Sequence, residues 1–406
     1  MPSTTGDRLC VALVTPWNDV CGNSEYAHRL AEGLAPAVEI VPVRLVPHPY
    51  PPGHFEILRD RIAVSQADVV HIQHEYGFFG REPAAANRSL LEFVSGIDKP
   101  IVITLHTVIE DLLWRMTLSS PVATTAFRRL ERAGQHWGGA AGRKALGWLA
   151  DFARRYDVLC RALERVRTIV VHTQTSADLL ADCFPRVQGK IRVVPIPIAA
   201  RPVAPVCRLE KRVDDVWLMM TGFVMEFKQH RLALAALRCL PENYRLVIAG
   251  GPQPHFRSSR EYWRELIRHV HLTGLTDRVT ITGFIADRNE YLSVLDQADV
   301  FLMPYREVGQ SASASLADIL CFEKPIITSA AVSLCEYRDD AETWATTVTG
   351  HVDDPQQFAA EIQKLHGQCQ DPEAVFKMHI RNAVRRYSME KIAAMYRQIY
   401  ETERGR

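Results

Sequence analysis

The 406-residue sequence lacks several features that would each narrow its function. It has no run of about 18 apolar residues, so no transmembrane helix is predicted. Its formal net charge is only +1, which argues against nucleic-acid binding as its main task. None of its nine cysteines forms a CxxC pair, which favours buried thiols in a reducing compartment. The first residues lack the basic start and apolar core of a signal peptide, so a cytoplasmic location is expected.

Four common motifs for catalysis or nucleotide binding are also missing. The loop after the first predicted strand, TPWNDVCGNSEYAHRL, contains one glycine, Gly22, where a dinucleotide-binding fold would show G-x-G-x-x-G. The chain has no G-x-x-x-x-G-K-[ST] loop, no HExxH or other cluster with zinc-ligand spacing, and no G-x-S-x-G turn. These absences argue against a nicotinamide dehydrogenase, a P-loop NTPase, a zinc enzyme of the common types and a simple serine hydrolase.

Short, apolar, β-branched runs alternate with helical stretches along the chain. Runs such as LCVALVT, PIVITLHT and YRLVIAGG lack polar alternation, which is typical of a parallel sheet covered on both faces. A Pro- and charge-rich segment at 197–215 interrupts the pattern, which then restarts. The sequence therefore predicts a doubly wound α/β fold with a first domain at 1–200, a second at 201–385 and a terminal helix at 386–406.

Polar and small residues follow the predicted strands at their carboxyl ends. They are Gly22, His74, Glu75, His106, Lys228, Gly250, Gly251, Gly283, Phe284 and the run from Gln310 to Ser315. Because ligands of open α/β sheets bind outside these strand ends, we expect the residues to line one cleft. The loop QSASAS directly precedes a helical run, and bare amides with small side chains at a helix start bind phosphate oxygens well.

Taken in order, several segments resemble the GT-B glycosyltransferases of the retaining family 4 type. The segments are CGNSEYAHRL, HIQHEYGFFG, TLHT, GFVMEFKQH, LVIAGG, the stretch from ITGFIADRNEY to LCFEKPIITS, and the terminal YSMEKIAAMYRQIYE. The resemblance spans nearly the whole chain. It implies two Rossmann-like domains facing a cleft, with the C-terminal helix crossing back to the first domain. It also implies sugar transfer with retention from a nucleotide-sugar donor, UDP- or GDP-linked, without a metal or other cofactor.

The resemblance assigns donor-side roles to residues of the second domain. Lys228 matches the lysine that contacts the diphosphate, and Gly283 and Phe284 match the turn whose backbone reads the base. Aligned on the following EKP, the family's Glu-x7-Glu pattern falls on Gln310 and Asp318, and the second position would hold the ribose hydroxyls. The residues between them that would present backbone amides to phosphate are Ser311, Ala312, Ser313 and Ala314.

Other residues match the reacting centre and the acceptor side. His106 matches the histidine near the reacting sugar, and Gly22, a donor-binding candidate, matches the glycine that lets backbone approach the phosphate or the acceptor. His74 and Glu75 lie where the family meets its acceptor, although a structural role at a strand end fits them too. The residues expected to act in catalysis are His106, Lys228 and Gln310.

Three positions depart from the family pattern. Phe223 stands where an arginine often follows the strand-end glycine, and Gln229 stands where a glycine often follows the lysine. Gln310 replaces the first glutamate and brings no negative charge to an oxocarbenium-like transition state. Arg231 or Arg306 could supply the second cation in place of the missing arginine.

These departures leave alternatives open. Ser315-Leu-Ala-Asp318 resembles a helix capping box, so Asp318 could have a purely local role. The chain could also be a GT-B binding or scaffold subunit that has lost catalysis, or a nucleotide-sugar epimerase. The sequence does not indicate whether the acceptor is a sugar, a lipid-linked glycan or a small molecule.

Residues 108–166 interrupt the strand–helix rhythm with a mostly helical stretch. It is rich in arginine and contains Trp114, Trp137 and Trp148. It could be a solvated helical excursion. It could instead meet an acceptor or an anionic membrane, since arginines with interfacial aromatics suit such a surface. The second interpretation predicts peripheral contact at the inner face of the membrane, and no nucleic-acid partner is expected.

Overall fold

A computed structural model gives the fold. It describes residues 8–18, 20–46, 48–108, 158–254, 256–306, 312–329, 331–334, 354–368 and 375–405. Gln310, Ser311 and most of the 108–166 excursion therefore lie outside the described residues. The described residues form two compact units. The first contains those up to Pro195 and those from Glu390 onward, and the second contains those from Ile196 to Met389.

The first unit is built on six parallel strands. They are β1 (Leu9–Thr15), β2 (Val38–Arg44), β3 (Val69–His74), β4 (Ile101–Leu105), β5 (Thr168–Val171) and β6 (Ile191–Val193). Their order in the sheet is β2-β1-β3-β4-β5-β6. The four central strands are buried along their whole length, as their continuous apolar runs predict for a sheet covered on both faces.

Six helices of the described ranges lie between these strands in the sequence. They are α1 (Gly22–Leu34), α2 (His54–Val64), α3 (Tyr76–Phe79), α4 (Pro83–Ser95), α5 (Val158–Arg165) and α6 (Gln174–Cys183). Local signals explain several of their starts. Thr173 caps α6 by accepting a hydrogen bond from the Ser176 amide at 3.1 Å, and Pro83 begins α4, where its missing N–H costs nothing.

The second unit has its own five-stranded parallel sheet. The strands are β7 (Val216–Thr221), β8 (Tyr244–Ala249), β9 (Val279–Ile281), β10 (Val300–Met303) and β11 (Ile326–Thr328). Their order is β11-β10-β7-β8-β9, which places β7 at the centre. Its described helices are α7 (His230–Leu237), α8 (Arg257–Leu272), α9 (Arg288–Asp296), α10 (Ala314–Ile319), α11 (Pro355–Gln368) and α12 (Val375–Arg386).

The terminal helix α13 (Met389–Arg404) packs into the first unit from Glu390 onward. Its Tyr396 and Tyr400 are fully buried, and Glu403 accepts a hydrogen bond from Thr168 Oγ1 at 2.8 Å. The expected fold class, two Rossmann-like units with a terminal helix that returns to the first, is confirmed. None of the helices in the described ranges is long and apolar enough to cross a membrane.

Candidate active site

Lys228 lies at the centre of a polar cluster in the second unit. Its Nζ donates to the Thr221 carbonyl at 2.7 Å and to Ser315 Oγ at 3.3 Å, and only 5% of the residue is exposed. Gly222 makes this approach possible, because it has φ +79° and a Cβ there would lie 2.8 Å from Lys228 Nζ. The strand end, the glycine turn and α10 therefore converge on one buried cation.

The surroundings of Lys228 weaken its hold on its proton. Burial lowers its pKa from 10.5 to about 7, although the nearby Asp318 carboxylate opposes the shift. The Nζ also lies 5.4 Å from the centroid of the Tyr305 ring. An anion that entered this cluster would favour the charged form and raise the pKa of Lys228.

Ser313, not Ser315, is the residue that caps α10. Its Oγ accepts from the Leu316 amide at 3.2 Å, whereas the Ser315 hydroxyl accepts from Lys228. The capping box read from Ser315 to Asp318 is therefore wrong. Ala312 and Ser313 are buried where the loop enters the helix. The two serines therefore have different roles, since Ser313 caps the start of α10 and Ser315 accepts a hydrogen bond from Lys228.

Asp318 forms an ion pair that the sequence did not suggest. Arg288 Nη1 donates to Asp318 Oδ2 at 3.1 Å, and Arg288 Nη2 donates to Asp318 Oδ1. The Asp318 residue is 7% exposed, and the guanidinium also lies 5.4 Å from the ring centroid of Tyr291. The only signal in the sequence was the position of ADRNE directly after the β9 turn, where Asp287 caps α9 by accepting from the Glu290 amide.

The two arginines suggested as a second cation are exposed residues of the second unit. Arg231 forms an ion pair with Glu265 at 2.9 Å, and both side chains are 55% exposed. Arg306 is exposed, and its backbone amide donates to the Phe227 carbonyl. Arg288 is instead the arginine that the structure brings to Asp318.

Phe223 and Phe284 come together although they are far apart in the sequence. Their rings are nearly parallel, with centroids 6.3 Å apart, and Phe284 is 52% exposed. The neighbouring Gly283 has φ +72°, and no other atom of the described structure lies within 4 Å of where its Cβ would be. A Cβ on Gly251 would lie 2.7 Å from the Phe284 amide nitrogen. The expected base-reading turn is thus an open glycine turn with aromatic neighbours.

Gln229 occupies a backbone conformation that favours glycine. Its φ is +58° and its ψ is 43°, which is the left-handed region. Its side-chain amide donates to the Pro304 carbonyl at 2.6 Å, which anchors the turn. Gln229 therefore stands in a conformation that glycine adopts at lower cost.

In the first unit, His106 is held by two neighbours after β4. Its Nε2 lies 2.5 Å from the Gln73 amide oxygen, and its Nδ1 lies 3.0 Å from His172 Nε2. Burial, with the nearby His172, keeps the pKa of His106 well below 6.5, so the ring is neutral at neutral pH. A direct hydrogen bond from a ring nitrogen to a sugar would require one of these two bonds to be exchanged.

The acceptor-side candidates have different surroundings. His74 is buried and stacked on Phe79 with ring centroids 5.4 Å apart, and neither of its ring nitrogens has a partner among the described residues. Glu75 caps the start of α3 and accepts from the Tyr76 amide at 3.0 Å and from Thr107 Oγ1 at 2.6 Å. Burial raises the pKa of Glu75, and these two hydrogen bonds oppose the shift.

Gly22 is the first residue of α1. No described atom outside its immediate neighbours lies within 4 Å of where its Cβ would be, so the backbone there is open on that side. Among the described residues, no three His, Cys, Asp or Glu side chains are grouped so that they could hold a metal ion. Gln310 and Ser311 cannot be placed relative to Lys228, because they lie outside the described ranges.

One protein family matches the second unit. Residues 214–368 match the family model described as Glycosyl transferases group 1. The segment includes Lys228, Arg288 and Asp318, the charged residues of the cluster described above. A comparison with curated proteins returns no match.

Solved structures resemble nearly the whole chain. Sucrose-phosphate synthase from Thermosynechococcus elongatus has a TM-score of 0.67 and 19% identity, covering 97% of this chain and 99% of its own. Alr3699/HepE from Anabaena, solved with UDP-glucose, has a TM-score of 0.65 and 12% identity, with 97% and 100% covered. The similarity of these structures shows that the fold is GT-B, and at identities this low it shows the fold alone. The domain match on this fold supports glycosyltransferase activity.

Proposed function

We propose that the chain transfers a sugar from a UDP- or GDP-linked donor to an acceptor hydroxyl, with retention of anomeric configuration and without a metal ion. The observation that carries this proposal is the buried Lys228, held between a strand end and α10 inside the segment that matches the glycosyl transferases group 1 family. The neighbouring solved structure with UDP-glucose supports a nucleotide sugar as the donor.

Lys228 is suited to the departing diphosphate. A lysine ammonium has three N–H donors, and two of them are directed at Thr221 O and Ser315 Oγ. Protonation therefore supplies a third N–H that a phosphate oxygen can accept. A cation fixed in a poorly exposed site stabilises charge that develops in the transition state more than a mobile surface lysine does. Backbone amides at residues 312–314 would add to this stabilisation.

The proposed transfer balances without a side-chain nucleophile. The bond between the anomeric carbon and the diphosphate oxygen breaks as the acceptor oxygen bonds to the same carbon from the same face. The acceptor proton passes to the leaving phosphate oxygen. This route depends on orientation and electrostatics, which the protein supplies through Lys228 and through Asp318 toward the ribose hydroxyls.

A donor panel tests the proposal. The protein is incubated with UDP-, GDP-, ADP- and dTDP-sugars, with and without sugar, lipid-linked and small-molecule acceptors, and released nucleoside diphosphate is measured. We expect slow hydrolysis of one donor and faster release with a suitable acceptor, and proton NMR of the product should show the anomeric configuration of the donor. Tight donor binding without release would favour a scaffold subunit, and an epimerised sugar would favour an epimerase.

We further propose a cytoplasmic location with peripheral contact to the inner face of the membrane through residues 108–166. The support is the arginine- and tryptophan-rich sequence of that segment. Flotation with anionic and with neutral liposomes tests it. We expect the protein to float with anionic vesicles at low salt and not at high salt. If no more protein floats with either kind of vesicle than floats without vesicles, the contact is excluded.

A further inference from the structure

A row of hydrogen-bonded side chains crosses the interior of the first unit. Its members, which we call the histidine relay, are Tyr400, His71, Gln73, His106, His172 and the Val194 carbonyl. Tyr400 Oη lies 2.6 Å from His71 Nδ1, and the Gln73 amide nitrogen lies 3.2 Å from His71 Nε2. The relay continues through His106 to His172, whose Nδ1 lies 2.9 Å from Val194 O.

The Val194 end of the relay has a fixed direction. A carbonyl oxygen can only accept, so His172 must carry its proton on Nδ1. A neutral His172 then has a lone pair on Nε2 and can only accept there. His106 must therefore donate from Nδ1, and a neutral His106 has a lone pair on Nε2, which faces Gln73.

The Gln73 side chain has to face His106 Nε2 with a donor if that nitrogen carries a lone pair and with an acceptor if it carries a proton. If its amide nitrogen faces His106 Nε2, the Gln73 oxygen faces His71 Nε2, which must donate, and His71 Nδ1 accepts from Tyr400. Every bond then points toward Val194 and no charge is needed. If the Gln73 oxygen faces His106 Nε2, as in the structure, then His106 or His172 must hold one extra proton. His71 Nε2 then accepts and its Nδ1 donates to Tyr400.

We propose that Gln73 and His71 are positioning residues that couple the protonation of His106 to Tyr400 on the terminal helix. One added proton at His106 turns the Gln73 amide, moves the His71 proton from Nε2 to Nδ1 and reverses the bond to Tyr400. The Thr104 hydroxyl, 2.8 Å from His71 Nε2, can donate or accept and so permits both arrangements.

The uncharged arrangement, in which the Gln73 amide is turned from its orientation in the structure, is the resting one because the relay is buried. Burial lowers the pKa of His71 to about 3 and that of His172 to about 4, and it also holds the pKa of His106 well below 6.5. Tyr400 and His71 are both fully buried, so an unmatched donor in the row would be costly. A neutral row with a single direction satisfies every member.

The coupling can be measured without a donor sugar. Histidine-selective ¹⁵N labelling reports the protonated nitrogen of each ring. At neutral pH we expect Nδ1–H for His106 and His172 and Nε2–H for His71. On acid titration, the His71 tautomer should change at the same midpoint as the protonation of His106. Nδ1–H on His71 at neutral pH, or a His71 tautomer that stays fixed while His106 is protonated, would overturn the proposal.

Gln73→Met is the matched variant for this coupling. It keeps the length of the side chain and removes the amide, so His106 should still titrate while the His71 tautomer no longer follows. A His71 tautomer that still follows would show that Gln73 is not the link. Circular dichroism checks that the fold survives the acid range.

Gln73→Glu gives a second test at neutral pH. A carboxylate can only accept, so His106 should donate from Nε2, and His106 or His172 should carry one extra proton where the natural protein is neutral. Neutral rings at both His106 and His172 in this variant would contradict the proposed role of residue 73. The consequence for catalysis rests on the proposed function, and there Gln73→Met should change the pH profile of kcat more than KM for the donor. Because the NMR tests need no turnover, failure of the relay and failure of the transferase proposal are distinguishable.

Discussion

The two units place their buried polar groups under opposite electrostatic regimes. Around Lys228 in the second unit, a cation with a pKa of about 7 lies near an Arg288–Asp318 ion pair. Around His106 in the first unit, three histidines, a glutamine and one tyrosine are joined by hydrogen bonds, and burial lowers the pKa values of the histidines so that their rings are neutral near neutral pH. One region places a buried lysine near a buried ion pair, and the other joins neutral rings by hydrogen bonds.

This difference shows what each kind of site requires of a sequence. Buried charge needs a partner in the folded protein or in a ligand, so removing one member leaves an uncompensated group. A neutral row of hydrogen-bonded groups needs a donor opposite every acceptor. A change that reverses the direction of one hydrogen bond should therefore disturb it more than a change in nearby charge. The predictions below attack the charged region first, because losses there are expected to be largest.

Lys228→Ala should produce the largest effect. Removing a fixed donor aimed at developing negative charge typically lowers kcat by about 100- to 1000-fold. Released nucleoside diphosphate, measured with the donor identified in the panel, gives kcat and KM. Lys364→Ala is the matched control, because Lys364 is a 62% exposed lysine of the same unit. Equal rates in both variants would remove Lys228 from the mechanism and end the contrast between the units.

Arg288→Ala should destabilise the second unit. It leaves the poorly exposed Asp318 carboxylate without its arginine, which costs about 2 kcal/mol. Urea unfolding followed by fluorescence measures the loss. Adding Asp318→Asn to Arg288→Ala should recover most of the stability, since the second change removes the charge of the carboxylate that has lost its arginine. If the double variant is no more stable than Arg288→Ala alone, the pair does not act as an electrostatic unit.

The fold was largely predictable, and the sites were predictable only in part. Each strand-like run in the sequence became one of the eleven strands, because a continuous β-branched run is a local signal. Lys228 was found through the motif around it. The sequence did not indicate the Arg288–Asp318 ion pair or the histidine relay. Gln73 and His71 lie within a strand-like run, and Tyr400 is 329 positions from His71, its hydrogen-bond partner. A contact of that kind exists only after the terminal helix has packed.

Donor binding should weaken as the pH rises above about 7. In the protein without a bound nucleotide, Lys228 has a pKa of about 7, and a bound diphosphate raises this pKa. Between the pKa of the unbound protein and that of the complex, binding therefore takes up a proton. Affinity for the nucleoside diphosphate should fall by up to about tenfold per pH unit there. Below pH 7 the lysine is already charged and its contribution should level off. Calorimetry in buffers of different ionisation enthalpy measures the proton uptake directly.

Lys228→Arg is the matched variant for this pH dependence. Arginine stays charged over the whole range, so the decline in affinity above pH 7 should disappear even if the absolute affinity changes. The histidine relay offers the contrast, because Gln73→Met should leave the pH dependence of nucleotide affinity as it is. A decline that persists in Lys228→Arg would assign it to another group.

The smallest effect is expected at Gln229, where two variants test backbone strain in the turn after Lys228 without changing any charge. Gln229 has φ +58° and donates to Pro304 O, so Gln229→Ala loses the hydrogen bond and keeps the left-handed strain. Gln229→Gly loses the same bond but removes the strain, and it should therefore be about 1 kcal/mol more stable than the alanine variant in urea unfolding. Since neither change alters the charge beside Lys228, both variants should keep the pH dependence of nucleotide binding. If the two variants are equally stable, the left-handed conformation costs alanine nothing at this turn, and it does not explain why the family favours glycine there.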